Sequence, residues 1–107
     1  MSRTEPNRTV AYVPDLMDRS KVASASGTPV TFVARPTDLP AASAAADLVV
    51  VDLSRPGVLE VLPAIAAPTI GFGRHDDRER LAAATAAGCD RVLARSAFFS
   101  QVAELLG

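Results

Sequence analysis

The sequence predicts a three-layer α/β domain, a doubly wound five-stranded parallel sheet with helices on both faces. Three observations predict it. Short β-branched segments alternate with helix-like segments five times along the 107 residues, the signature of a parallel sheet covered on both sides. The clearest of these segments, Asp47-Leu48-Val49-Val50-Val51-Asp52, is apolar without alternation, as a parallel strand buried on both faces requires. The length is that of one domain, and 49% of the residues are hydrophobic, enough for a core of its own.

The elements follow in order. Met1 to Arg8 is polar and aperiodic and reads as a flexible tail, leaving 9–107 as a single domain. Thr9-Val10-Ala11-Tyr12-Val13 is a short buried strand stopped by Pro14, which has no N–H for a ladder. Asp15 is an N-cap candidate for a first helix that Gly27 ends. Pro29-Val30-Thr31-Phe32-Val33 is a second strand. Asp38 to Ala46 reads as an Ala-rich helix with Pro40 in its first turn, where a missing N–H costs little. After the third strand at 47–52, Gly57 to Ala66 is a short helix and Pro68-Thr69-Ile70-Gly71-Phe72 a fourth strand. Asp76 and Glu79 have capping-box spacing and open a helix through Ala87 that Gly88 closes. Asp90-Arg91-Val92-Leu93-Ala94 is the fifth strand, and Ser96 caps a last helix through Leu106. Right-handed crossovers then favour the flavodoxin-like strand order 2-1-3-4-5.

Composition excludes several classes of function. A net charge of -1 argues against nucleic-acid binding through bulk electrostatics, which shows as a basic excess. The single cysteine, Cys89, builds no disulfide framework, fits a reducing cytoplasm, and reads as a small core residue. The first residues carry no apolar signal segment, and no apolar run is long enough to span a membrane. Abundant alanine without tryptophan is common in high-GC bacteria.

Ligands in such folds sit beyond the carboxyl ends of the strands. Four of those ends carry chemistry: Pro14-Asp15 after the first, Asp52 with Leu53-Ser54-Arg55-Pro56-Gly57 at the third, Gly73-Arg74-His75 after the fourth, and Arg95-Ser96 after the fifth. They converge on one shallow pocket holding Asp15, Asp52, Gly73, Arg74, His75 and Arg95. Gly71-x-Gly73 lacks a third glycine and follows the wrong strand for a dinucleotide. Pro14-Asp15-Leu16-Met17 lacks the hydroxyls that a flavin loop wants.

The run from Asp47 to Gly57 resembles the phosphoacceptor strand of bacterial response-regulator receiver domains. The stretch from Pro68 to Leu106 resembles the same family, with Gly88-Cys89-Asp90-Arg91-Val92-Leu93-Ala94-Arg95-Ser96 before a helix that starts in aromatics at Phe98. The resemblance implies a phosphoacceptor at Asp52, Mg²⁺ on Asp15 and Asp52, and a protein partner. The departures point to a degenerate pseudo-receiver. The acidic pair after the first strand reads Pro14-Asp15, the hydroxyl after the fourth is Gly73, and the Lys-Pro after the fifth is Arg95-Ser96.

Asp52 therefore has two readings, a phosphoacceptor or a structural carboxylate paired with Arg95 or Arg74, and the second is preferred. A cation then stands permanently where metal or phosphate charge would be. His75 is either a ligand beside Asp52 or a solvated loop residue. On the last helix Phe98, Val102 and Leu105 form one apolar stripe and Phe99, Ala103 and Leu106 a second, which is either core or a partner surface. Receivers often dock partners or dimerise through the face of the fourth helix, fifth strand and fifth helix. The resemblance thus marks Phe99, Ala103 and Leu106, with Arg78 and Arg91 at the rim, as an interface and a homodimer as one form of it. The expected function is a stand-alone signalling module, not an enzyme, that binds protein and needs no cofactor. A working phosphoacceptor served by a histidine kinase and a small-molecule-binding flavodoxin-like domain are the alternatives.

Overall fold

The computed structural model describes residues 8–107. In chain order the elements are β1 (Thr9–Tyr12), α1 (Leu16–Ala25), β2 (Val30–Phe32), α2 (Leu39–Ala42), β3 (Leu48–Asp52), α3 (Val58–Val61), β4 (Thr69–Gly73), α4 (Arg78–Ala86), β5 (Arg91–Ala94) and α5 (Arg95–Leu106). The five strands form one sheet in the order β2-β1-β3-β4-β5, parallel at every pairing. This is the predicted doubly wound arrangement. Of the tail read over 1–8, residues 1–7 lie outside the described residues. Arg8 is tied to the sheet entrance: its N–H donates to Asp47 Oδ2 at 2.8 Å and its carbonyl accepts from the Asp47 N–H at 2.8 Å.

Successive strand residues point to opposite faces, so the buried run of β3 serves two cores. Val49 and Val51 join Val10, Tyr12, Leu39, Leu53, Val58 and Leu62 under α2, α3 and α4. Val50 joins Ala11, Val13, Val22, Ile70, Phe72 and Phe98 under α1 and α5. The second core is built on aromatics. Phe72 and Phe98 stack with centroids 4.6 Å apart, and Phe99 meets both edge-on at 5.2 and 4.9 Å.

Several helix limits differ from the sequence reading. Over the predicted 38–46 helix the chain makes a 3-10 turn at Pro36–Asp38 and one α-turn at Leu39–Ala42. Pro36 and Pro40 start these turns, and Ser43 sends its hydroxyl back to the Pro40 carbonyl instead of continuing the helix. The 57–66 helix is likewise split into Val58–Val61 and a 3-10 turn at Leu62–Ala64, because Pro63 cannot supply the next α-helical N–H. The α4 cap is Asp77, whose carboxylate accepts from the Arg80 N–H; Asp76 is drawn away by Arg74. Ser96 caps nothing, since α5 begins at Arg95 directly from β5. Gly88 does close α4, with φ of 103°, a left-handed conformation that a side chain would strain.

On α5 both apolar stripes turn inward. Phe98 and Leu106 are buried, and Phe99, Val102 and Leu105 pack on the same core; only Ala103 of the two stripes is exposed. Leu106, read as an interface residue, is a core residue, buried in the same cluster as Val22, Ile70 and Phe98. No helix among the described residues is long and apolar enough to cross a membrane.

Candidate functional site

The sheet delivers Asp52 to the end of its central strand with its side chain only 4% exposed. A carboxylate so placed needs partners, and it finds them within three residues. Oδ1 accepts from the Ser54 N–H at 3.0 Å and the Ser54 hydroxyl at 2.6 Å; Oδ2 accepts from Arg55 Nε at 3.3 Å. The cation at Asp52 is therefore neither Arg95 nor Arg74. The arginine at Asp52 is Arg55, from the turn that leaves β3.

Arg74 is occupied by Asp76, two residues on, through contacts of 3.1 and 3.0 Å. That pairing raises the guanidinium above its ordinary range and lowers the Asp76 carboxyl. A second cation does reach the β3 end: Arg80 donates to the Leu53 carbonyl at 3.2 Å and pairs with Asp77 at 3.4 Å. His75 is exposed.

Arg95 is held by Asp18. Nη1 donates to Oδ2 at 2.7 Å and Nη2 donates to Oδ1, a two-pronged pair of the kind that suits a guanidinium. Its guanidinium is raised in pKa, first by those hydrogen bonds; Asp52 and Asp15 add to the effect through space. Sequence reasoning missed Asp18. The signal was present: Asp18 shares the inward face of α1 with Val22, four residues on, and an acid on an inward face demands a cation. In the 2-1-3-4-5 order α1 and α5 cover the same face, so Arg95 was the cation within reach.

Asp15 caps α1. Its Oδ1 accepts from the Asp18 N–H at 3.0 Å. That bond is the main cause of a lowered carboxyl pKa, with Arg95 and Arg55 contributing less. Gly73 carries no hydroxyl, and a Cβ there would stand 3.1 Å from Leu81 Cδ2 and 3.5 Å from Leu53 Cβ, so a side chain at this position would press on the end of Leu81. Gly71, two residues earlier, is tighter still: a Cβ would lie 2.7 Å from Leu53 Cγ.

The donor set fits a divalent cation poorly. Mg²⁺ wants several oxygens in octahedral array. Here Pro14 offers no side-chain oxygen, Asp15 is engaged as a helix cap, Asp52 accepts three hydrogen bonds from Ser54 and Arg55, and two guanidiniums stand nearby. Among the described residues no group of three or more His, Cys, Asp or Glu is placed to hold a metal. Cys89 is a buried core residue whose thiol is pushed up to about 11 by desolvation.

The rest of the predicted site is at the surface. Arg78 and Arg91 are exposed. The only exposed large hydrophobics among the described residues are Leu16 and Met17, 76% and 72% exposed, at the start of α1. A groove of about 390 Å³ lies between α1 and α5, lined by Ser20, Lys21, Ser24, Ala25, Phe99 and Val102.

No family model and no curated protein matches this sequence. Solved structures do match the fold. A response regulator from Hahella chejuensis superposes with a TM-score of 0.81 at 16% identity, covering 94% of this chain and 92% of that one. The signal receiver domain of the response regulator NarL from Mycobacterium tuberculosis follows with 0.76 at 15% identity, covering 94% of each chain. The Mn²⁺-bound form of response regulator Rcp1 gives 0.71 at 14% identity, covering 94% and 91%. The chain has the fold of response-regulator receiver domains.

Proposed function

We propose that this receiver-fold domain is a regulatory module that recognises another protein and does not take up a phosphoryl group. The observation that carries the reading is the mutual neutralisation of the strand-end charges: Asp52 by Ser54 and Arg55, and Arg95 by Asp18. Phosphoryl transfer is catalysed by positioning and by neutralising developing charge. Asp52 offers its oxygens to neighbours already in place, and Arg95 is committed elsewhere. Gly73 supplies no hydroxyl at the end of β4. Regulation without chemistry then falls to the surface. Leu16 and Met17, which follow Asp15 directly, hold apolar area in water, and covering such area favours association. The exposure of these two side chains supports a docking face at the start of α1.

The competing reading is a working phosphoacceptor, favoured by the place of Asp52 at the end of the central strand. Incubation with acetyl phosphate and Mg²⁺ or Mn²⁺, followed by intact-mass measurement, separates the two. No mass gain is expected. A phosphate-sized gain that disappears in Asp52→Asn would overturn the proposal.

A further inference from the structure

We infer that the Asp18–Arg95 pair is a latch that couples the strand-end pocket to the groove between α1 and α5. Asp18 lies in the first turn of α1 and is buried; Arg95 is the first residue of α5 and is 45% exposed at its side chain. The two are 77 residues apart in sequence, so their pairing sets how the starts of the two helices meet. The contact does not end there. The Arg95 guanidinium lies 5.1 Å from the centroid of Phe99, and Lys21 of α1 lies 5.2 Å from the same ring. Asp18, Arg95, Phe99 and Lys21 thus form a circuit from α1 to α5 and back. Phe99 and Lys21 both line the groove.

This arrangement has a physical consequence. With Asp18 in place, the guanidinium is held against the Phe99 ring, where a cation is attracted by the ring face. Without it, Arg95 is a half-exposed cation near two further carboxylates, Asp15 and Asp52, which already feel its charge. Moving Arg95 toward them removes it from Phe99 and leaves Lys21 as the only cation of the circuit on that ring. The pocket charge and the groove wall therefore move together.

Amide hydrogen exchange and methyl and ring NMR of Asp18→Asn and Arg95→Met test the latch. Each variant should speed exchange about tenfold, as expected for loss of a charge-assisted hydrogen bond, at Ser20 to Ala25 and at Phe99 to Val102 alike. The Phe99 ring and Val102 methyl signals should shift in both. The double variant, which leaves no unpaired carboxylate, should exchange no faster than Arg95→Met, and Arg95→Lys should retain part of the protection. Footprints confined to the helix that carries each substitution, with the opposite wall of the groove unmoved, would overturn the inference. If Asp18→Asn does not fold, Arg95→Met, altered at a half-exposed position, gives the same reading on the α1 wall.

Discussion

Asp52 and Asp18 are both buried carboxylates paired with an arginine, yet they solve the problem of burial in opposite ways. Asp52 uses partners two and three residues away, in the turn that leaves its own strand. Such contacts cost little chain entropy and hold only the turn. Asp18 uses a residue 77 positions on, and its pair spans two helices on the aromatic side of the sheet. The comparison teaches that the residue expected to be the centre of the site is held by local contacts, while an acid outside the expected pocket ties elements together.

The first way to break the comparison is to remove each cation or charge in turn. Arg95→Met keeps the aliphatic stem but leaves the Asp18 carboxylate buried without its partner. Breaking a fully buried pair costs about 3–5 kcal/mol; with Arg95 half exposed we expect about 2–3 kcal/mol. A urea midpoint that falls with an unchanged slope would report it. A loss under about 1 kcal/mol would mean that water replaces Arg95 at Asp18, and the long-range pair would rank with the local one.

The packing beside Asp52 should matter nearly as much as that pair. Gly71→Ala pushes a methyl against Leu53, where the Cβ would come within 2.7 Å of Cγ, and overpacking of this kind costs about 1–3 kcal/mol. The cost should shrink in a Leu53→Ala background, because the clash is with that one side chain. Chemical denaturation of the four proteins of the cycle measures the coupling. Asp52→Asn should cost less than either change. Asparagine still accepts from Ser54, and what is lost is an ion pair to an arginine 41% exposed, worth about 0.5–1 kcal/mol. A larger loss would show that the local pair holds more than its turn.

These sites also show what could be read in the sequence. Parallel strands buried on both faces announce themselves, because every residue from Leu48 to Val51 must be apolar, and the strand order followed from handedness. Asp52 and Arg95 were legible as strand-end residues. Their partners were not, because pairing depends on side-chain reach. Arg55 and Arg95 are equally charged, and only the turn geometry after β3 shows that Arg55 folds back first. The alanine-rich window 38–46 and the apolar window 57–66 both read as longer helices than form, because Pro40, Pro63 and the Ser43 hydroxyl decide where the backbone bonds stop.

The smallest expected effect lies where the two regions meet. Asp15 senses both Arg95 and Arg55, after the hydrogen bond from the Asp18 N–H that dominates its lowered pKa. With the folded carboxyl below its unfolded value, the cap stabilises the fold above the ordinary pKa of 3.8. That contribution is lost as pH falls through the depressed value. Carboxyl ¹³C titration should therefore show Asp15 rising slightly in Arg95→Met and less in Arg55→Met, with most of the depression kept in both. If Arg55→Met moved it more, the local arginine would dominate the electrostatics of the pocket mouth. The long-range pair would then be an anchor for the helices without much reach into the pocket.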